Sequence, residues 1–396
     1  MNLNLWVVTE TAPAEVLTED LDRFVGTDRT LGDAYWGFST VVQGGLWSVK
    51  GDSLFFIAAS EGRNVLFNVE LASRTIKPVE APNDAVVFDF DIARRDGQIA
   101  ATVATQRSPT EIWLLPGSGA LTHFNGSLMD EVALVDAERV TWHAKGGPEL
   151  EGWLYKPGQQ KSTTPPVILS VHGGPYRQHS LAFCHETQSL CALGFAVFCP
   201  NPRGSQGYGE EIASAIDNDW GNNDYLDLMA GVDHVLAAHG WNGAQLGVIG
   251  GSYGGYMVNW IVTHTDRFQA AVADRSISDL LSHVRCGQSA LSFARPLFGS
   301  PWTSDGVRRL TKMSPLTYVT QCHTPVLLLH GTADEACRLD QARQFYMGLW
   351  ENRCEAEMIL FPEATHELPR SGAPSLRIRR LEWIHAWFKK HLMRPE

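Results

Sequence analysis

A mostly parallel, doubly wound α/β sheet preceded by a smaller all-β region is the fold class that this 396-residue sequence predicts. Three observations carry it. Residues 1–135 run in short alternating apolar segments separated by turn signals, whereas residues 136–396 alternate apolar strands with helical stretches. A glycine-flanked serine also stands where one of those strands turns into a helix, in GVIGGSYGGYM, Gly247 to Met257. The two rhythms define two domains, 1–135 and 136–396.

Within the first region, GGLWSVKGDSLFFIAASEGRNVLFNVELASRTIKPV and VVFDFDIARRDGQIAATVATQRSPTEIWLLPGSGALTHF are alike. Each has an apolar start, a turn (Lys50-Gly51-Asp52 in one, Arg95-Asp96-Gly97 in the other), two apolar strands and a polar exit. Leu66 aligns with Ile112, an offset within the roughly 40–50-residue period of propeller blades. LNLWVVTETAPAEVLTED reads as the second half of one more blade. A partial β-propeller of about two to three blades is therefore expected, short of the roughly 4–8 that close a ring. A small β-sandwich, or a lone sheet packed on the other domain, is the alternative.

In the second region PPVILSV, FAVFCP, QLGVIG, FQAAVAD, PVLLLHG and EMILFP are the strand candidates. Helices fall between them. YLDLMAGVDHVLAAHG carries Leu226, Met229, Val232, Val235 and Leu236 on one stripe, and YMVNWIVTHT places Met257, Trp260 and Ile261 on one face. LRIRRLEWIHAWFKKHL closes the chain with Ile378, Leu381, Ile384, Trp387 and Phe388. About 35 residues after Asp279 read as irregular, either a lid or pocket wall or an ordinary surface helix.

Composition narrows the function classes. A hydrophobic share of 44% with 19% charged residues describes a globular chain, and a net charge of -12 disfavours nucleic acid or anionic membrane as partners. Seven cysteines without a C-x-x-C pair suggest free thiols in a reducing compartment rather than disulfides or a zinc site. MNLNLWVVTE lacks a basic leader region, and no segment has eighteen consecutive apolar residues, so a cytoplasmic location is expected. Neither a metal nor an organic cofactor is implied.

Gly250, Ser252 and Gly254 fit G-x-S-x-G, the nucleophile elbow of the α/β-hydrolase fold, where glycines supply strained backbone angles and room for close approach. The competing reading is a glycine loop that merely packs tightly or cradles a phosphate. A serine hydroxyl needs a base, and the base needs an acid to hold its tautomer. In this fold the chain order is Ser, then Asp or Glu, then His. PVLLLHG runs into GTADE and offers Asp334, with Glu335 as a close rival, and EMILFP runs into EATHEL and offers His366. Both follow strand ends, where open α/β sheets build their sites. The Tyr253 N–H is the expected first oxyanion donor, and the second is expected from the HGGP loop, His172 to Pro175, in which His172 shapes the loop.

These residues resemble the prolyl oligopeptidase family of serine peptidases, in its acylaminoacyl-peptidase-like branch. The similarity covers residues 136–396 and rests on HGGPYRQHS, NPRGSQGYGEEI, DWGNNDYLDLMAGVDHV, LGVIGGSYGGYMVNWIVTHTDRFQAAVADRSISD, HGTADEACRLDQARQFY and FPEATHELPRSGAPSLRIRRLEWIHAWF. The resemblance implies Ser252 as nucleophile, Asp334 as acid, His366 as base and the N–H groups of Tyr253 and Gly174 as oxyanion hole. It also sets the NPRGS loop near the site, making Arg203, and Arg370 in ELPRSG, weak substrate-binding candidates beside a structural ion-pair role. Two departures stand out. Where the family has an Arg followed by Cys-Pro or Val-Pro after the aspartate, this chain has Glu335, Ala336, Cys337 and Arg338. The family also carries a whole propeller that screens the site, whereas this chain reads as starting mid-blade, as a truncated frame or a natural short form.

Removal of N-acylated residues from short peptides is thus the leading expectation. A carboxylesterase acting on small acyl esters with the same three residues is the alternative, and a non-catalytic interaction module is a third. Unpaired blade edges favour association, so a homo-oligomer is expected, which light scattering checks.

Overall fold

Residues 3–8, 13–27, 46–117, 119–144, 146–158, 163–286 and 297–393 are described by a computed structural model. They form two compact units. One comprises Met1–Ala137 with Tyr176–His185 and Gly204–Ala215; the other comprises Glu138–Pro175, Glu186–Arg203 and Ile216–Glu396.

In the first unit β1 (Trp6–Val7) pairs antiparallel with β2 (Glu15–Val16). An antiparallel sheet follows in the order β3 (Leu46–Trp47), β4 (Ser53–Ser60), β5 (Arg63–Glu70), β6 (Ile76–Pro78). A second holds β7 (Val86–Ile92), β8 (Ile99–Thr105) and β9 (Ser108–Leu115). The β4–β5 hairpin closes after the Ser60–Arg63 pair through Glu61 and Gly62 at φ 48° and 70°. Two positive φ values are what a two-residue type I′ turn requires. The two internal repeats are these two sheets, with Leu66 on β5 and Ile112 on β9.

Alternation along β4 and β5 buries both faces of their sheet. Ile57 and Leu66 join Val87, Phe90, Ile99, Val103 and Leu115 of the second sheet, while Leu54, Phe56, Phe67 and Val69 pack with Leu17 and Val25. Phe56 and Phe67 stack at 5.7 Å between centroids. A sheet covered on both faces by successive chain segments is blade-on-blade packing, which a two-sheet sandwich does not produce, so the region is a partial β-propeller. Residues 9–12 and 28–45, which include part of the expected first half-blade and Gly44 and Gly45 of the first repeat, lie outside the described residues.

The second unit carries an eight-stranded sheet in the order β10 (Ala137–His143), β11 (Glu149–Tyr155), β13 (Ala196–Asn201), β12 (Val167–Val171), β14 (Leu246–Gly251), β15 (Ala270–Asp274), β16 (Val326–Gly331), β17 (Ala356–Phe361). From β13 onward the pairs are parallel, and β11 runs antiparallel to β13. This is the α/β-hydrolase fold. All six predicted strands are present, and the sequence reading missed the edge pair β10 and β11. Register aligns the strand ends, with Val171 opposite Gly250, Gly251 opposite Asp274 and Gly331 opposite Phe361. The order reverses at β12, so its C-terminal end and that of β14 flank the crevice where such sheets bind ligands.

Three helix expectations need correction. In the helix Asn223–His239, Leu226 is exposed, while Asp224, Asp227 and Leu228 face inward beside Met229, Val232, Val235 and Leu236. In the helix Pro374–Leu392, Ile378 is exposed, and Arg380 takes an inward position to bond Asp274. Ile384, Trp387 and Phe388 do pack inward, each such burial contributing about 1.5–3 kcal/mol. The helix Tyr253–Val262 is buried all round rather than on one face, because it lies between sheet and covering layer. The segment after Asp279 is also more regular than expected, with helices at Leu280–Cys286 and Ser304–Lys312 and a 3-10 turn at Pro315–Gln321. Residues 287–296 of it lie outside the described residues.

Candidate functional site

Ser252 follows β14 directly and caps the helix Tyr253–Val262 with φ 62° and ψ -120°. A non-glycine residue at positive φ stores about 1–3 kcal/mol and persists only where its surroundings hold it. Here they do: the Ser252 N–H donates to the carbonyls of Asp274 (3.1 Å) and Arg275 (3.2 Å), and the Ser252 carbonyl accepts from Tyr256 N–H (2.9 Å).

Of the two purposes expected of the glycines, strained angles and room for close approach, only the second holds. Among the described residues, Gly250, Gly251, Gly254 and Gly255 are not at positive φ; the serine itself takes that conformation. What the glycines provide is contact distance. A Cβ on Gly250 would stand 2.5 Å from the Gly254 carbonyl group, and one on Gly254 would stand 2.2 Å from the Val171 carbonyl oxygen. The elbow and the HGGP loop therefore touch through backbone. Gly173 lies beside the serine, since a Cβ there would meet Gly251 O at 3.1 Å and Ser252 Cβ at 3.7 Å. Gly174 sits at φ 130°, and His172 Nδ1 bonds the Gly173 carbonyl at 2.8 Å.

Asp334 and His366 follow β16 and β17, and the fold brings them together. His366 Nδ1 lies 2.7 Å from Asp334 Oδ2, while Asp334 Oδ1 accepts from the N–H groups of Ala336 (2.9 Å) and Cys337 (2.8 Å). A carboxylate only accepts, so Nδ1 carries the proton and Nε2 keeps the lone pair of a neutral ring. The rival, Glu335, is exposed and pairs with Arg338. The departure from family pattern at Ala336 and Cys337 leaves the aspartate anchored, because the anchors are main-chain donors. Ser252 Oγ lies 3.8 Å from Cys337 Sγ at rest.

Burial lowers the His366 pKa, and the Arg275 charge adds to this, while the bond to Asp334 acts in the opposite sense. The ring is therefore neutral, and basic, at neutral pH. If His366 is the base, kcat/KM should rise with pH through a midpoint below its ordinary value of about 6.5 and stay level through neutrality. A pH–rate profile with its midpoint at or above 6.5 would contradict this.

Arg203 and Arg370 are both engaged in ion pairs. Arg203 grips Asp227 with a fork (Nε to Oδ2 2.8 Å, Nη2 to Oδ1 2.7 Å), and Arg370 Nε donates to Glu367 at 2.6 Å. Sequence reasoning missed Asp274 and Arg275, whose carbonyls hold the serine N–H; the only signal was their place at the end of β15. It also missed Asp224, buried against the Tyr253 hydroxyl. Among the described residues no cluster of three or more His, Cys, Asp or Glu side chains is arranged to hold a metal ion, and no helix is long and apolar enough to cross a membrane.

The family profile described as the prolyl oligopeptidase family matches residues 181–394. An uncharacterized peptidase, YuxL, of Bacillus subtilis is 34% identical over 386 residues, covering 95% of this chain and 57% of the relative. The human acylamino-acid-releasing enzyme is 24% identical over 391 residues, covering 92% of this chain and 52% of its own. Among solved structures, the Pyrococcus horikoshii acylaminoacyl peptidase superposes with a TM-score of 0.85 at 26% identity, covering 97% of this chain and 58% of that one. The chain thus spans between half and three-fifths of the length of these relatives. With more than half of its residues matched by the profile, the chain belongs to the prolyl oligopeptidase family, with acylaminoacyl peptidases among its relatives in both sequence and structure.

Proposed function

We propose that the protein is a serine hydrolase that releases N-acylated residues from short peptides through an acyl-enzyme. The observation that carries this reading is the 2.7 Å Asp334–His366 contact, formed by loops of adjacent strands in the fold that sets Ser252 on its elbow. In this reading His366 Nε2 takes the Ser252 hydroxyl proton as Oγ bonds to the scissile carbonyl carbon. The oxygen that becomes negative accepts hydrogen bonds from the N–H groups of Tyr253 and Gly174. His366 then passes its proton to the leaving amine, and water, deprotonated by the same ring, releases the acyl group. At rest the Ser252 hydroxyl lies against Cys337 Sγ at 3.8 Å and not in a hydrogen bond to His366, so it turns to His366 Nε2 as substrate binds, as catalytic hydrogen bonds often tighten only then. The named activities of the human and Pyrococcus relatives support the substrate class. Seven thiols, all free, support a reducing, cytoplasmic setting. The test is hydrolysis of N-acetylalanyl p-nitroanilide by the wild-type chain and by Ser252→Ala. Turnover confined to the wild type supports the reading, and equal turnover by both rejects it.

A further inference from the structure

The helix Asn223–His239 begins with a carboxylate that the reaction scheme does not use. Asp224 is fully buried, and its oxygens are taken by the Tyr253 hydroxyl (2.7 Å) and by the N–H groups of Gly221 (2.8 Å) and Tyr225 (2.8 Å). Among the described residues it forms no ion pair. Arg203, the cation near it, is gripped by Asp227, whose own charge works against the ionised form of Asp224, and Asp219 bonds the Asn222 amide. Tyr256 and His172 are titratable groups beside the Tyr253 ring. Burial raises the Asp224 carboxyl to about 6, so it is ionised at neutral pH and held only by neutral donors. Such a buried charge costs stability that an apolar filler would not, which marks the position as one with a task.

The task follows from what Asp224 holds. Tyr253 is the residue after the nucleophile, and its ring is wedged beside Trp220 (4.9 Å, edge-on) and Tyr256 (6.0 Å). The backbone on either side of Tyr253 is closely held as well, Ser252 by its N–H bonds to Asp274 and Arg275 and Gly254 by its contact with the Val171 carbonyl. We propose that Asp224 is a positioning residue that, through the Tyr253 hydroxyl, fixes the aim of the Tyr253 N–H at the substrate oxygen. This rests on Ser252 being the nucleophile. The hydroxyl of Tyr253 thereby acts on the reaction without touching the substrate.

Asp224→Asn and Tyr253→Phe in the full chain test it, with p-nitrophenyl butyrate and the thiono ester that carries C=S in place of C=O. Sulfur accepts hydrogen bonds poorly, so the thiono ester draws little from the oxyanion donors. Each variant should lose about 10- to 100-fold in kcat on the oxygen ester, less than the roughly 10²–10³ of deleting a donor. KM should stay within about twofold, and kcat on the thiono ester should barely change, so that the preference for oxygen over sulfur narrows by the same factor. Equal losses on both esters, a change in KM alone, or wild-type kcat would each overturn the proposal. Tyr253→Phe removes one hydroxyl, and its melting curve shows whether the chain folds should Asp224→Asn not. Ser252→Ala separates the two layers: if it still turns over the oxygen ester, the nucleophile assignment fails, whereas an inactive Ser252→Ala leaves only the Asp224 proposal under test.

Discussion

Replacing Ser252 with alanine is expected to lower kcat on N-acetylalanyl p-nitroanilide by about 10⁶-fold, the size of loss seen when a catalytic serine of this kind is removed. No neighbouring group substitutes for it. The Cys337 thiol lies 3.8 Å from the hydroxyl, but burial pushes its pKa well above the usual range, so it stays protonated and a poor nucleophile. The turn should survive, because its support is main-chain: the N–H of residue 252 still donates to Asp274 and Arg275. Melting temperature should therefore move little. Substantial residual turnover by the purified variant, after exclusion of contaminating hydrolases, would remove Ser252 from the mechanism.

The second large effect is expected at Asp334. In Asp334→Asn, Oδ1 can still accept from the Ala336 and Cys337 N–H groups, so the loop keeps its shape. The other atom becomes an amide nitrogen facing His366 Nδ1. Two donors then oppose one another, and the ring is driven to the tautomer whose Nε2 carries the proton and cannot act as a base. A loss of about 10⁴-fold in kcat is expected, with KM little changed. Single-turnover kinetics of the purified variant check this. A loss below about tenfold, or a larger one in Glu335→Gln, would transfer the role to the exposed rival, which pairs with Arg338.

Much of this arrangement was legible in the chain because strand ends concentrate it. GVIGGSYGGYM announced a strand-to-helix turn, and PVLLLHG and EMILFP each ran into a polar loop at the same edge, so Asp334 and His366 were found without knowledge of their contact. The 46-residue-scale echo between β4–β5 and β8–β9 was likewise visible, since a blade repeats its turn chemistry at Gly51 and Gly97, at φ 71° and 77°. Periodicity failed where polar groups take inward positions. Asp224, Asp227 and Arg380 occupy buried sites on their helices, whereas Leu226 and Ile378 face solvent, because each buried charge or hydrogen bond is made to a residue distant in sequence. The pair β10 and β11 escaped because GGP in its hairpin and Glu149 and Glu151 on its second strand broke the apolar pattern of a core strand. The close approach expected of the glycines around Ser252 is present, against Val171 and within the turn, whereas the strained angle falls on the serine itself.

The most direct measurement compares kcat/KM for N-acetylalanyl p-nitroanilide, unblocked alanyl p-nitroanilide and p-nitrophenyl butyrate, with Ser252→Ala as the blank. Turnover of the blocked anilide is expected, with at least about a tenfold preference over the unblocked one, or about 1.4 kcal/mol in transition-state binding. Turnover of the ester alone would contradict it and make the protein an esterase built on a peptidase scaffold.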